Sequence, residues 1–168
     1  MAACSRESCH QSLRQLSRCT PPSTTTAPTP GASFTRSPYA TAFAVANRPI
    51  EGWSEAFGIF GLEDGVPVAA YGPRGSAQAI ANIRAAMTPK TKAVLLANHG
   101  VLTWGPQAPL AVQLGVIIEE AAQSAILASA IGGAKLVPAH LLHASFERDA
   151  RFDKAGAARV TGTERPNP

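Results

Sequence analysis

The stretch from Lys90 to Gly105, KTKAVLLANHGVLTWG, limits what this chain can fold into more than any other part of it. Two apolar runs, Ala93 to Ala97 and Val101 to Trp104, are split by only Asn98, His99 and Gly100. Two such runs with a short glycine-containing break predict a pair of strands joined by a tight turn, the makings of a buried hairpin. An imidazole at the tip of that hairpin has two readings. It is a turn histidine that hydrogen-bonds nearby backbone, or it is a metal ligand, since neutral imidazole is the commonest protein ligand for zinc. For a histidine standing alone the first reading prevails, so the rest of the chain decides.

Around the hairpin the pattern is helical. Residues 37–47, SPYATAFAVAN, put Ser37 at an N-cap position and Pro38 at the first helical position, with Tyr39, Phe43 and Ala46 on one face. SEAFGIFGLEDG reads either as a short helix or as a loop, and Val66 to Tyr71 as a short strand near a sheet edge because of Pro67. GPRGSAQAIANIRAAMTP predicts a helix capped by Ser76, with Ile80, Ile83 and Met87 inward and Thr88-Pro89 ending it. A longer helix follows the hairpin, with Leu110, Leu114, Ile117, Ala121, Ala125 and Ala128 as its stripe and Gly132-Gly133 as its stop. From about Ala150 the tail reads as frayed.

Residues 1–36 have a different texture. Seventeen of these 36 are Ser, Thr, Pro or Gly, and TPPSTTTAPTPGAS has neither helical nor strand period. Such a segment cannot bury enough apolar surface to offset its ordering entropy, so it reads as disordered. The expected organisation is therefore 1–36 disordered, 37–150 one α/β domain, and 151–168 a flexible tail. The charge is split the same way. The formal +4 comes mostly from Arg6, Arg14, Arg18 and Arg36 against Glu7, while the remaining 132 residues hold eleven basic and ten acidic groups. A body this balanced, without a basic stripe interleaved with aromatics, argues against a nucleic-acid partner.

Cys4, Cys9 and Cys19 also lie in the first 36 residues, and with His10 they fit no usual zinc spacing. The N-terminus lacks an apolar core of signal-peptide length. Ala108 to Ile131 is long and apolar, but Gln113, Glu119, Glu120 and Gln123 interrupt it, which argues against a membrane span. A cytoplasmic protein is the expectation.

Taken in order, SPYATAFAVANRPI, VPVAAYGPRGS, the KAVLLANHGVLTWG hairpin and the EEAA helix resemble the class II aldolase/adducin family, across residues 37 to about 150. The Asn-His-Gly turn between two apolar strands is the most specific of these pieces. The resemblance implies an α/β/α fold around a mainly antiparallel sheet, incomplete here, and a homotetramer with sites between neighbouring subunits. It implies a small sugar phosphate as substrate and a divalent metal, zinc in the aldolases, held by three histidines. His99 is the one of them carried by this turn. The metal grips the substrate's oxygens and stabilises the enediolate left by carbon–carbon cleavage, while a carboxylate moves the proton.

The chain departs from that pattern where it matters most. The family's other two metal histidines stand in a VVHTH strand just before SPYATA, and here Phe34 and Arg36 occupy those places. Codons for VVHTH read one base over spell Ser33-Phe34-Thr35-Arg36, so residues up to Arg36 read either as an out-of-frame translation or as a genuine extension. The family's catalytic Glu has no counterpart. A tyrosine used by some aldolases falls near Glu55, which is either a proton carrier or a solvated carboxylate. His140 and His143 read as surface residues, Tyr71 and Arg74 as flanks of a glycine-rich turn, and Lys90 and Lys92 as a solvated edge. Two function classes remain: an impaired zinc-dependent aldolase, or a non-catalytic adducin-like interaction module.

Overall fold

A computed structural model describes residues 31–160 of the protein. In chain order the elements are β1 (Gly31–Thr35), α1 (Pro38–Val45), α2 (Glu55–Ile59), β2 (Val68–Ala69), α3 (Ala77–Ala86), β3 (Ala93–Leu96), β4 (Gly100–Gly105), α4 (Ala108–Ala128) and α5 (Ala139–Val160). The four strands form one sheet in the order β1-β4-β3-β2. Both pairings made by β4 are antiparallel, and β2 joins β3 in parallel.

Alternation along the hairpin divides the core in two. Ala93, Leu95 and Val101 point to one face, where they pack with Ala40 and Ala44 of α1 and Leu114, Ile118 and Ala122 of α4. Val94 points to the other, against Ala69 and Ile83 of α3. Helices therefore cover both faces, as continuous apolar strands require, and the α/β/α arrangement expected for the family is the one observed. The segment Ala108–Ile131 is long and apolar enough to cross a membrane by length and composition. Here its Leu114, Ile118 and Ala122 are fully buried against the sheet and its helical partners.

Four expectations need correction. Gly31–Thr35, placed in the disordered segment, is a strand paired with β4 from Gly31↔Gly105 to Thr35↔Val101. Its ladder is made by backbone groups, which any residue but proline can supply, so composition concealed it. α4 selects it as well: a Cβ on Gly31 would lie 2.2 Å from the backbone N of Ala108, so only glycine allows this approach. At the other end, α5 runs ten residues past Ala150, through a stretch rich in the good helix formers Ala, Arg and Lys. The ordered body thus exceeds residues 37–150 at both ends, while Cys4, Cys9, Cys19 and His10 lie outside the described residues.

The third correction concerns α1. Ser37 holds the N-cap position but makes no side-chain cap bond. Glu119 of α4 does that work, its two carboxylate oxygens accepting from Tyr39 N at 2.9 Å and Ala40 N at 2.7 Å. Ala40 and Ala44 are the fully buried residues of α1, and Ala46, expected on its inner face, is exposed. The fourth concerns Lys92, expected on a solvated edge. It is half-buried, and its Nζ donates to Phe60 O at 2.8 Å, at the C-terminal end of α2. By contrast the α3 cap is as expected, with Ser76 Oγ accepting from Ala79 N at 3.1 Å.

Candidate functional site

The turn that carries His99 is pinned by three elements. His99 N donates to Leu96 O at 2.9 Å and closes the turn, Asn98 N donates to Ala44 O at 3.0 Å at the end of α1, and Ala97 N donates to Ala69 O at 3.1 Å on β2. Asn98 takes φ 57°, a left-handed conformation that asparagine tolerates better than other side-chain-bearing residues. Gly100 is required by crowding. A Cβ there would sit 2.4 Å from Thr35 O and 3.2 Å from the Phe34 ring, so the end of β1 closes directly over the turn.

That closure sets the surroundings of His99. The Phe34 ring stacks on the imidazole with centroids 4.8 Å apart and planes 26° from parallel. Burial is the main reason the imidazole is held below its usual 6.5, and the positive charges of Arg36 and Arg74 push the same way. His99 is therefore a neutral imidazole at pH 7, with a nitrogen lone pair to offer. The rest of the donor set does not match it. Catalytic zinc takes about three protein ligands, and a phenyl ring donates nothing while a guanidinium repels the cation. Among the described residues no group of three His, Cys, Asp or Glu side chains is placed to hold a metal ion. The residues present do not fit zinc.

Other singled-out residues lie elsewhere. Glu55, at the start of α2, accepts from Ser145 Oγ at 3.0 Å and pairs with Arg148, both on α5, in an exposed cluster. His143 lies 3.1 Å from Glu63 and 3.5 Å from Glu147, and His140 is exposed. Tyr71 is exposed at the corner before α3, where Asn82 Nδ2 donates to Ala70 O and Tyr71 O. The following turn has Ser76 N donating to Pro73 O at 3.0 Å and Gly75 at φ 76°. The charge Arg74 projects onto His99 was missed, because 25 residues separate them and only β2 pairing beside β3 brings that corner near the turn.

With an Asn-His-Gly turn between these strands in an α/β/α body, the comparison with known proteins is direct. Residues 27–126 match the family described as Class II Aldolase and Adducin N-terminal domain. The chain belongs to the class II aldolase/adducin family. A relative in this family, the 5-methylthioribulose-1-phosphate/5-deoxyribulose-1-phosphate aldolase of Rhodospirillum rubrum, is 30% identical over 114 residues, which are 68% of this chain and 51% of that protein. An L-fuculose 1-phosphate aldolase structure superposes with a TM-score of 0.64 at 26% identity, over 70% of this chain and 54% of that one. The L-fuculose 1-phosphate aldolase of Glaciozyma antarctica, at 23% identity and a TM-score of 0.55 over 81% of this chain and 54% of that one, shares the fold. This class II aldolase-like chain spans about half the length of the relatives it matches.

Proposed function

We propose that the chain comes from the metal-dependent sugar-phosphate aldolases, carbon–carbon lyases of the fuculose-phosphate type, and that as it stands it is catalytically impaired. The Phe34–His99 stack carries this reading. A phenyl ring lies on the imidazole where the family resemblance calls for a second histidine, and Arg36 stands where it calls for a third. Without the ligand set nothing polarises a ketose carbonyl, and the family's proton-moving Glu has no counterpart in this sequence. Small phosphorylated ketoses are the substrate class named by the relatives. The homotetramer that the family resemblance implies belongs to that ancestry.

Zinc binding tests the proposal. Equilibrium dialysis is expected to give less than one zinc per chain for the wild type, and a clear gain for the double variant Phe34→His with Arg36→His. Adding His99→Ala to that double variant removes the gain. Neither fuculose 1-phosphate nor 5-deoxyribulose 1-phosphate is cleaved above background by the wild type. Tight stoichiometric zinc in the wild-type chain would overturn the reading.

The non-catalytic, adducin-like alternative gains from the same mismatch between the residues around His99 and a metal. An out-of-frame origin for residues up to Arg36 accounts for Phe34 and Arg36 together. Because the β1 ladder is made by backbone groups, its pairing is compatible with either origin. The coding DNA from upstream of Met1 through Ser37 decides: a single-base offset restoring two histidines supports it, and an unbroken frame with no such alternative refutes it.

A further inference from the structure

β1 ends the sheet, and among the described residues only β4 pairs with it. Trp104 N donates to Lys92 O at 3.0 Å, so Trp104 and, by alternation, Leu102 bond toward β3. Val101, Thr103 and Gly105 therefore bond toward β1, where they meet Thr35, Ser33 and Gly31. The N–H and C=O groups of Ala32 and Phe34 are left pointing off the sheet. Folded proteins usually blunt such an edge with a charge, a proline or a bulge. Gly31–Thr35 has no charged residue and no proline, and its register with β4 runs without a bulge.

The helix above this edge has an open side as well. α4 spans β1 and β4: Thr35 Cγ2 lies 3.8 Å from where a Cβ on Gly115 would sit, and Thr103 Oγ1 donates to Ala111 O at 2.6 Å. Ala108 and Gly115 thus form the row over β1, level with Gly31 and Thr35, with Ala111 on the β4 side of that row. At the helical period Val112 and Val116 fall on its other side. They overhang the open edge and are 55% and 52% exposed.

We propose that the chain pairs with a second copy of itself through β1, antiparallel, about a two-fold axis that passes by Ser33 perpendicular to the sheet. Ala32 of each copy exchanges backbone hydrogen bonds with Phe34 of the other, and the two four-stranded sheets become continuous. Spacing selects a second copy over a lone added strand. Strands stand about 4.8 Å apart. Because α4 sits over the gap between β1 and β4, the two α4 helices come to lie roughly 9–10 Å apart, the ordinary distance for packed helices. Ser33 is level with the middle of the Ala108–Gly115 row, so Val112 of one copy meets Val112 of the other. A single strand would leave those valines in water. Neither Gly31–Thr35 nor residues 108–118 hold a charged group, so no charge meets its own image across the axis.

The contact is short. Five strand residues and about two turns of α4 from each copy make roughly half of the 20–30 residues a side of a standard interface. The dimer is therefore an exchanging one, with a dissociation constant on the order of 10–100 μM. It is independent of the aldolase reading.

Sedimentation of the full-length protein from about 5 to about 500 μM should carry it from monomer to dimer. Val112→Glu sets two like charges against each other at the axis and should hold the chain monomeric over that range. Leu127→Glu, also on an exposed position of α4 but about three turns beyond the level of Thr35, should leave the dimer unchanged. Cysteine cross-linking tests the register. In a background with Cys4, Cys9 and Cys19 replaced by Ser, Ser33→Cys should form an intermolecular disulfide under mild oxidation, because Ser33 faces its own copy as a close, non-hydrogen-bonded pair. Thr35→Cys, which this register places opposite Gly31, should not. A chain that stays monomeric at the highest concentration, a dimer that survives Val112→Glu, or Thr35→Cys linking as readily as Ser33→Cys overturns the proposal. The cysteine comparison is made in chains that keep Val112, so it stands even if Val112→Glu fails to fold.

Discussion

The β3–β4 hairpin and strand β1 sit side by side in one sheet, yet they are specified in opposite ways. The hairpin carries its own instructions: apolar runs at the right spacing, an Asn that accepts a left-handed turn, and a Gly that yields room. β1 carries almost none. Ala-Ser-Phe-Thr becomes a strand because β4 offers an unpaired edge and because Gly31 lets Ala108 approach. The hairpin is fixed by residues within it, β1 by elements it meets. Such a strand, on the sheet edge with pairing on one side among the described residues, should open more easily than the hairpin it leans on.

The sharpest way to break that contrast is to cut one side chain from each. Leu95 is fully buried in the centre of β3, and Leu95→Ala should lower the unfolding free energy by about 2–5 kcal/mol. Phe34 is half-buried, and Phe34→Ala should cost only about 1 kcal/mol, the loss of partial burial. Denaturant melts measure both. Hydrogen exchange adds an independent view, with β1 amides losing protection before those of β3. Equal costs and equal protection would erase the distinction.

A second test asks whether α1, like β1, is held from a distance. Removing the Glu119 carboxylate leaves Tyr39 N and Ala40 N without their acceptors, so Glu119→Ala is expected to destabilise by about 1–3 kcal/mol. Ser37→Ala should fall within about 0.5 kcal/mol of wild type, because the Ser37 hydroxyl is buried without a partner. The reverse order would restore Ser37 as the working cap.

Legibility in the sequence followed the same division. The hairpin, α3 with its Ser76 cap, and α4 could be read because spacing, capping and stop signals lie within each segment. The inner row of α4 was drawn too narrowly, since Ala111, Gly115, Ile118 and Ala122 are buried too. A helix wedged between a sheet and α1 buries more than one stripe. β1, the Glu119 cap and the Lys92 contact depend on partners 32 to 80 residues away along the chain, and no local pattern announces them. His99 was legible as a candidate through its turn. The Phe34 ring on it and the Arg74 charge near it are products of folding.

The smallest expected effect concerns that imidazole and tests how firmly the end of β1 closes over the hairpin. Burial comes first among the causes that hold His99 below 6.5, with Arg36 and then Arg74 behind it. In the folded chain His99 therefore binds a proton less readily than in the unfolded chain. Where the unfolded state holds more protons, stability rises with pH. Its contribution is full above pH 6.5, is lost progressively as pH falls below it, and stops changing once folded His99 is itself protonated. NMR titration of the imidazole should give a midpoint under 6.5, and Arg36→Ala should move it upward by less than full exposure in urea does. If Arg36→Ala shifts the midpoint as far as unfolding does, charge and not burial governs the site. If it does not shift it at all, the end of β1 stands away from His99 in solution, and the closed turn described here is not the populated state.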